Sequence, residues 1–356
     1  GYLIRILIFS IDSSLLSKDI FLVFLLGIDI IDWIAFTIVI IFQTLMFSVG
    51  MNFNKRLINF SAIAVYGGMI IFFFGILLSD VKLTSQAFTE LLDYKNFFDI
   101  ENILPLLTVS GTIFAYFSII ITCFGDFSRY VKNEDELTKG NLSLIANLII
   151  FSFFSVFIVV GSDVFLNLRF LDLSSILTNP TDIIGKFDNT SITVIAIFFI
   201  IIASASTNLV ANFIPSQYSL INFMPNTLNL KSVSYVIAII GFLVGIFWLT
   251  ILSQIGILSF VDTFSSLFGP IFGVMIADYY LIKSKTISNK DIYSAEAGSI
   301  YFFSNGWHIK GCYSIFIGFI FSAATIWNPN LMFLQSFAWI IGAFISLITY
   351  YLLAKK

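Results

Sequence analysis

The sequence predicts an all-α polytopic membrane protein, on three observations. Only 11% of the residues are charged and 58% are hydrophobic, whereas a soluble globular domain carries about 25% charge. The apolar residues gather into runs of about 20, the length a helix needs to cross a hydrocarbon core roughly 30 Å thick. The polar stretches between the runs are too short to form a soluble domain, and the basic residues are distributed unequally among them. Mean hydropathy is +0.99.

The elements follow in order. A short apolar helix is expected over residues 1–11, where the chain opens GYLIRILIFS with no Met and no charge cluster before it. That stretch is half the length of a span, so the chain is expected to begin inside a helix and to be a fragment. Full spans are predicted over 33–51, 58–78, 105–124, 143–168, 191–213, 233–254, 259–282, 311–327 and 331–353. Asn141 and Pro225 are read as punctuation ahead of two of them. Gly269-Pro270 is expected to interrupt the span 259–282, leaving carbonyls unpaired and allowing a bend. Gly273 is expected to let another helix approach, and Gly241 and Gly245 in GFLVG fit a packing pattern.

Basic residues accumulate on the cytoplasmic side of membrane proteins. If the first half helix ends outside, the inside segments carry twelve of the 18 Lys and Arg: Lys55, Arg56, Arg129, Lys132, Lys139, Lys231, Lys283, Lys285, Lys290, Lys310, Lys355 and Lys356. Five lie outside, namely Lys18, Lys82, Lys95, Arg169 and Lys186, with Arg5 inside the half helix. The outer loops 79–104 and 169–190 hold Glu90, Asp93, Asp99 and Asp182. The carboxyl terminus is therefore expected in the cytoplasm. The net charge of −3 says nothing about nucleic acid, and with no basic patch dense enough to suggest it, no nucleic-acid partner is expected.

Cys123 and Cys312 are far apart and read as two small apolar residues, not as a disulfide or metal pair. The single histidine, His308 in NGWHIKG, is expected at the surface near a membrane edge. Asp126 and Arg129 are spaced for a local salt bridge. Asp163 and Asp262 lie near outer helix ends, and either is a candidate for titration in a proton-coupled mechanism. No nucleophile–base or metal-ligand constellation is present, so the protein is not expected to be an enzyme.

The span 191–213 ends in ASASTNLVAN, with Ser204, Ser206, Thr207, Asn208 and Asn212 within nine residues. Unpaired polar groups in hydrocarbon cost several kcal/mol each, so the cluster needs partners. At about 100° per residue, Ala203, Ser206 and Thr207 share one face. Two hydroxyls and a carbonyl freed by a helix irregularity suit a hard monovalent cation, although three oxygens are not a full shell. Asn208 and Asn212 form a second face, and an asparagine amide offers an acceptor and two donors in a plane. That matches the edge of a flat heterocyclic amide or imide. Interhelical glue and a binding site both remain open for this cluster. Tyr116 and Phe117 sit in another span, where Phe117 is either core or a stacking platform for a planar ring.

Taken together, GDFSRY (125–130), STNLVAN (206–212), GPIFGVMIADYYLIK (269–283) and ISNKDIY (287–293) followed by NGW (305–307) resemble the nucleobase–cation symporter-1 family, which includes cytosine, uracil, allantoin and hydantoin permeases. The resemblance implies a transporter of the leucine-transporter type, with helices 1–5 and 6–10 as inverted repeats. This chain would lack helices 1 and 2 and part of helix 3. Residues 1–78 would then supply helices 3–5, 105–282 helices 6–10, and 311–353 helices 11 and 12, all in one transmembrane domain.

It further implies a sodium site at Ala203, Ser206 and Thr207, completed by a helix preceding this chain. Asn212 falls on a substrate-amide position with Asn208 one turn earlier, and Tyr116 and Phe117 belong to the substrate site. Phe117 stands where hydantoin-carrying members have a stacking tryptophan. The expected protein is a monomer in lipid, in a bacterial inner membrane. It would import a planar nitrogen heterocycle with Na⁺ or H⁺ as coupling ion and no other cofactor. An amino-acid or amine symporter of the same fold is the rival within transport, and a non-transporting truncated membrane protein the rival outside it.

Overall fold

A computed structural model of the chain describes residues 2–12, 14, 23–25, 28–49, 51–79, 81–82, 85–86, 89, 99–165, 183, 190–250, 257–294 and 296–355. Gly1, Lys18, Glu90, Asp93, Lys95, Arg169, Asp182, Lys186, Lys356 and the side chain of Asp163 lie outside the described residues. In chain order the helices are α1 (Tyr2–Asp12), α2 (Ile30–Val49), α3 (Met51–Ser79), α4 (Ile100–Thr122), α5 (Phe124–Ser128), α6 (Glu134–Phe165) and α7 (Thr190–Asn208). A π turn (Leu209–Phe213) joins α7 to α8 (Ile214–Phe223), followed by α9 (Leu230–Thr250) and α10 (Ile257–Ile276). A second π segment (Ala277–Ile282) ends α10; then come α11 (Ile309–Trp327), a 3₁₀ segment (Pro329–Phe337) and α12 (Ala338–Ala354). A two-stranded ribbon, β1 (Phe24–Leu25) and β2 (Ile28–Asp29), precedes α2.

Helix dominates because a backbone in hydrocarbon must satisfy its own hydrogen bonds. Eight described helices are long and apolar enough to cross a membrane, and the apolar part of α2, Ile30–Met46, is a little shorter. Every predicted span has a helical counterpart. The expectation for Asn141 is corrected: it lies inside α6, which begins at Glu134. Asn133 caps that helix, its Oδ1 accepting from the Glu136 amide at 2.9 Å. Glu134, Asp135 and Glu136 fill the first turn, where carboxylates favour the helix dipole.

The chain divides into two compact units, residues 1–94 with 125–250, and residues 95–124 with 251–356. In the first, α3 packs on α6 and α7, α2 on α9, and α8 on α9. Phe73 meets Phe154 and Phe157 edge-on at 5.3 and 5.6 Å. Phe36 stacks on Phe242 at 5.4 Å, and a Cβ on Gly245 would lie 2.1 Å from Phe36 Cζ. Of the GFLVG pair, Gly245 is thus the packing glycine; a Cβ on Gly241 would meet nothing within 4 Å. Gln217 Nε2 donates to Ser234 Oγ at 2.8 Å and ties α8 to α9.

In the second unit α10, α11, α12 and α4 pack together. Here a second expectation is corrected. Gly269-Pro270 does not interrupt the span, because α10 runs through Pro270. The two residues serve packing instead. A Cβ on Gly269 would lie 2.3 Å from Trp339 O, and one on Gly273 2.0 Å from Ala343 O. The α12 backbone therefore rests directly on these glycines. The Pro270 ring fills the space left by Gly342 and Gly318, where added Cβ atoms would stand 2.8 and 3.1 Å from it. Ser346 Oγ donates to Pro270 O at 2.9 Å and Ser322 Oγ to Ala338 O at 2.6 Å. Such interhelical bonds are worth about 0.6 kcal/mol in membranes.

Gly273→Ala is expected to destabilise the protein by about 1–3 kcal/mol, since a backbone carbonyl has nowhere to retreat. Gly241→Ala, with open space around it, is expected to stay within about 0.5 kcal/mol of wild type. Melting temperatures of the two variants in detergent check the contrast.

Candidate functional site

The polar cluster occupies the span Thr190–Phe223, the longest apolar helical stretch among the described residues at 34 residues. Its irregularity has a local cause. Pro215 lies in the first turn of α8, and in a continuous α-helix its ring would collide with the carbonyl of Ala211, four residues back. The wider π turn removes that collision: the Ile214 amide bonds Leu209 O, five residues back. Single π turns of this kind recur at functional sites. Leu209 and Phe213 are buried against Leu57, Ile58 and Ile237. That anchorage sets the rotation of the turn and leaves Asn212 exposed, with Asn208 half-buried.

The two asparagines share a face, as the spacing predicted: Asn212 Nδ2 donates to Asn208 Oδ1 at 2.6 Å. Asn208 Nδ2 in turn donates to Gln43 Oε1 of α2 at 2.8 Å. Sequence reasoning did not single out Gln43. The available signal was a lone carboxamide in the apolar run Ile40–Leu45, a group that needs a partner in hydrocarbon; which partner depends on a contact 165 residues away.

Ala203, Ser206 and Thr207 lie on the regular part of α7, so their shared face is retained. The expectation of a freed Ala203 carbonyl is corrected: the irregularity begins only at Leu209, and Ala203 O accepts from Ser206 Oγ at 3.0 Å, which leaves the serine lone pairs unused. Thr207 is exposed. These are neutral oxygen donors, the chemistry a monovalent cation accepts. Among the described residues no group of three His, Cys, Asp or Glu could hold a metal ion. Tyr116 and Phe117 belong to the second unit, on α4, where both rings are exposed and meet each other edge-on at 5.3 Å.

Further polar sets lie at helix ends. Arg129 pairs with Asp126 at 3.5 Å, as the spacing predicted, and sits 4.0 Å over the Tyr218 ring. Tyr218 also hydrogen-bonds Tyr130. Burial pushes the Asp126 carboxyl up against the opposing pull of Arg129. Burial and the Tyr218 bond push the Tyr130 phenol up. Asp262 is buried, its Oδ2 accepting from Gln335 Nε2 at 2.8 Å. Cys123 and Cys312 are free thiols.

At the end of α10, Asp278 accepts from Tyr350 Oη at 2.6 Å and pairs with Lys283 at 2.7 Å. His308 belongs to this set, and the surface expectation for it is corrected. Its ring stacks on Phe303 at 4.0 Å, its Nε2 is 3.3 Å from Tyr350 Oη, and it is half-buried. Phe303 and Tyr350 approach only when the segment before α11 folds back, which no local pattern announces. Burial lowers the His308 pKa from 6.5, with Asp278 opposing and Lys283 and Lys310 reinforcing the shift.

These features define a polytopic helical membrane protein with an amide-rich irregularity in one long span. The chain belongs to the family of permeases for cytosine/purines, uracil, thiamine and allantoin, whose model matches residues 13–349. The chain is 27% identical over 248 residues to the allantoin permease of Bacillus subtilis (strain 168), covering 69% of this chain and 48% of that protein. It is 27% identical over 248 residues to the purine-uracil permease NCS1 of Arabidopsis thaliana, covering 69% of this chain and 38% of that protein. The chain thus spans about half the length, or less, of these curated relatives. A solved chain described as "Inward facing conformation of Mhp1" superposes with a TM-score of 0.41 at 17% identity, covering 99% of this chain and 89% of that chain. A likeness that loose assigns no residue.

One prediction concerns His308, the single histidine of the sequence. Its folded pKa lies below the unfolded value of 6.5, so the unfolded state binds the proton first as pH falls. Stability is expected to be full above pH 6.5 and to decline as pH drops from 6.5 toward the lowered folded value. His308→Gln should flatten that part of the profile, measured as melting temperature in detergent from neutral to mildly acidic pH.

Proposed function

We propose that the protein is a secondary active transporter importing a nucleobase or related planar nitrogen heterocycle, coupled to Na⁺ or H⁺. The observation that carries the reading is the Asn208–Asn212 pair at the π turn, two carboxamides on one face inside a long apolar span. A carboxamide offers donor and acceptor in one plane, and a cytosine, uracil, purine or allantoin edge presents the complement. Membership of the permease family and the substrates named for its relatives support the same class of ligand.

In this reading Asn212 and Asn208 bind the heterocycle; Phe117 and Tyr116 lie in the other unit, and their part in binding rests on the family resemblance alone. Ala203 O, Ser206 Oγ and Thr207 Oγ1 supply part of a cation shell. The coupling ion, when bound, favours the outward-open state, and substrate then shifts the population toward closure. Alternating access rocks one group of helices against another around a midplane site. The carboxyl terminus lies in the cytoplasm of a bacterial inner membrane, and the protein works as a monomer.

Asn212→Ala is expected to reduce uptake of labelled uracil and allantoin to background in cells expressing the protein. The double variant Ser206→Ala, Thr207→Ala is expected to weaken cation dependence about tenfold or more while retaining some uptake, read as the Na⁺ or H⁺ concentration for half-maximal rate. Full uptake in Asn212→Ala and an unchanged cation profile in the double variant would together overturn the assignment. Competition by amino acids but not by nucleobases would favour the amine-symporter rival.

A further inference from the structure

Gln43 lies outside the residues given a role above, yet it terminates the only side-chain amide ladder among the described residues. The ladder has a direction: Asn212 Nδ2 donates to Asn208 Oδ1 at 2.6 Å, and Asn208 Nδ2 donates to Gln43 Oε1 at 2.8 Å. We propose that Gln43 is a positioning residue that fixes the orientation of the Asn212 amide and thereby makes the site select heterocycles with an N–H beside a carbonyl. The inference rests on the transport reading given above and deepens it.

The argument is a count of donors and acceptors. A primary amide has two N–H donors and one oxygen acceptor. Asn212 spends one N–H on Asn208, leaving one N–H and the whole Oδ1 on an exposed side chain. What remains is a single donor beside a single acceptor. Its complement is a lactam, imide or ureide edge, in which an N–H adjoins a carbonyl. An N-methylated edge has lost its donor and brings a methyl group against Oδ1.

That selection holds only while the Asn212 amide cannot turn over. Asn208 alone does not prevent it, because an unconstrained amide accepts as readily as it donates. Gln43 extends the order by one residue: by accepting from Asn208 Nδ2 it directs Asn208 Oδ1 toward Asn212, and the ladder then reverses only if all three amides turn over together. Hydrogen bonds in series polarise one another in the same sense. All three residues belong to the same unit. Gln43 is carried by α2, which packs on α9 through Phe36 and Phe242, and the turn bearing Asn212 is anchored by Leu209 and Phe213.

The test measures discrimination, which a purely structural defect would not move. Cells expressing the protein are given labelled uracil, hydantoin and allantoin, each competed by its own N-methylated analogues. Wild type is expected to bind the N-methylated forms at least about tenfold more weakly. Gln43→Met, similar in shape but lacking the accepting oxygen, is expected to bring that ratio toward one, and Gln43→Glu, which keeps an accepting oxygen, to restore it. If Gln43→Met abolishes uptake, Gln43→Glu decides: recovery of uptake with discrimination supports the assignment, and no recovery overturns it. An unchanged ratio in Gln43→Met, with uptake still abolished by Asn212→Ala, overturns the role of Gln43 and leaves the transport reading standing. Uptake of none of the three probes by wild type overturns the transport reading and this inference with it.

Discussion

Hydrocarbon offers a polar side chain no hydrogen bond, and that constraint organises most of what is specific in this molecule. An unpaired amide or hydroxyl there costs several kcal/mol, and several polar groups in the spans occur in linked sets, although Asn54 Oδ1, Ser162 Oγ, Thr193 Oγ1 and Trp339 Nε1 are buried without a hydrogen-bond partner. Gln43, Asn208 and Asn212 form one set. Gln217 and Ser234 form another, and Asp262 with Gln335 a third. The first and third join segments far apart in the chain, 165 and 73 residues, and the second ties neighbouring helices 17 residues apart. The amide ladder differs from the rest in ending on an exposed asparagine, which keeps one N–H and its oxygen outside the ladder.

Two prolines act in opposite ways, and the surroundings decide which. Pro215 stands at the first turn of α8, where its ring conflicts with a continuous α-helix, and the chain responds with a π turn. Pro270 lies mid-helix, yet α10 continues through it, and Gly318 and Gly342 leave a recess for the ring. The first device opens a helix and exposes an asparagine. The second closes three helices together, with Gly269 and Gly273 admitting the α12 backbone.

Much of this was legible in the sequence. The spans were, because a run of about 20 apolar residues has few alternatives to a helix in lipid. The sharing of a face by Asn208 and Asn212 followed from spacing alone, and the bond between them bears it out. Helix starts were less legible: Asn141 looked like a boundary by composition, but a capped, charged extension carries α6 nine residues beyond the predicted start of 143, to Glu134. His308 read as a surface residue since its partners Phe303 and Tyr350 meet it only through the folded-back segment before α11. Gln43 was invisible as a partner for the same reason.

By itself, then, the sequence determined the class of the protein, its helical spans, its family and the two faces of the polar cluster. These are local quantities, set by runs of apolar residues, by helical spacing and by short motifs. Only the tertiary structure decided how the polar groups pair, why Pro270 packs instead of breaking its helix, and which way the Asn208 amide points. Those outcomes depend on contacts between residues tens to well over a hundred positions apart, such as the 165 that separate Gln43 from Asn208. Hydrogen bonding and close packing are short-ranged in space, and folding alone establishes which distant residues fall within that range.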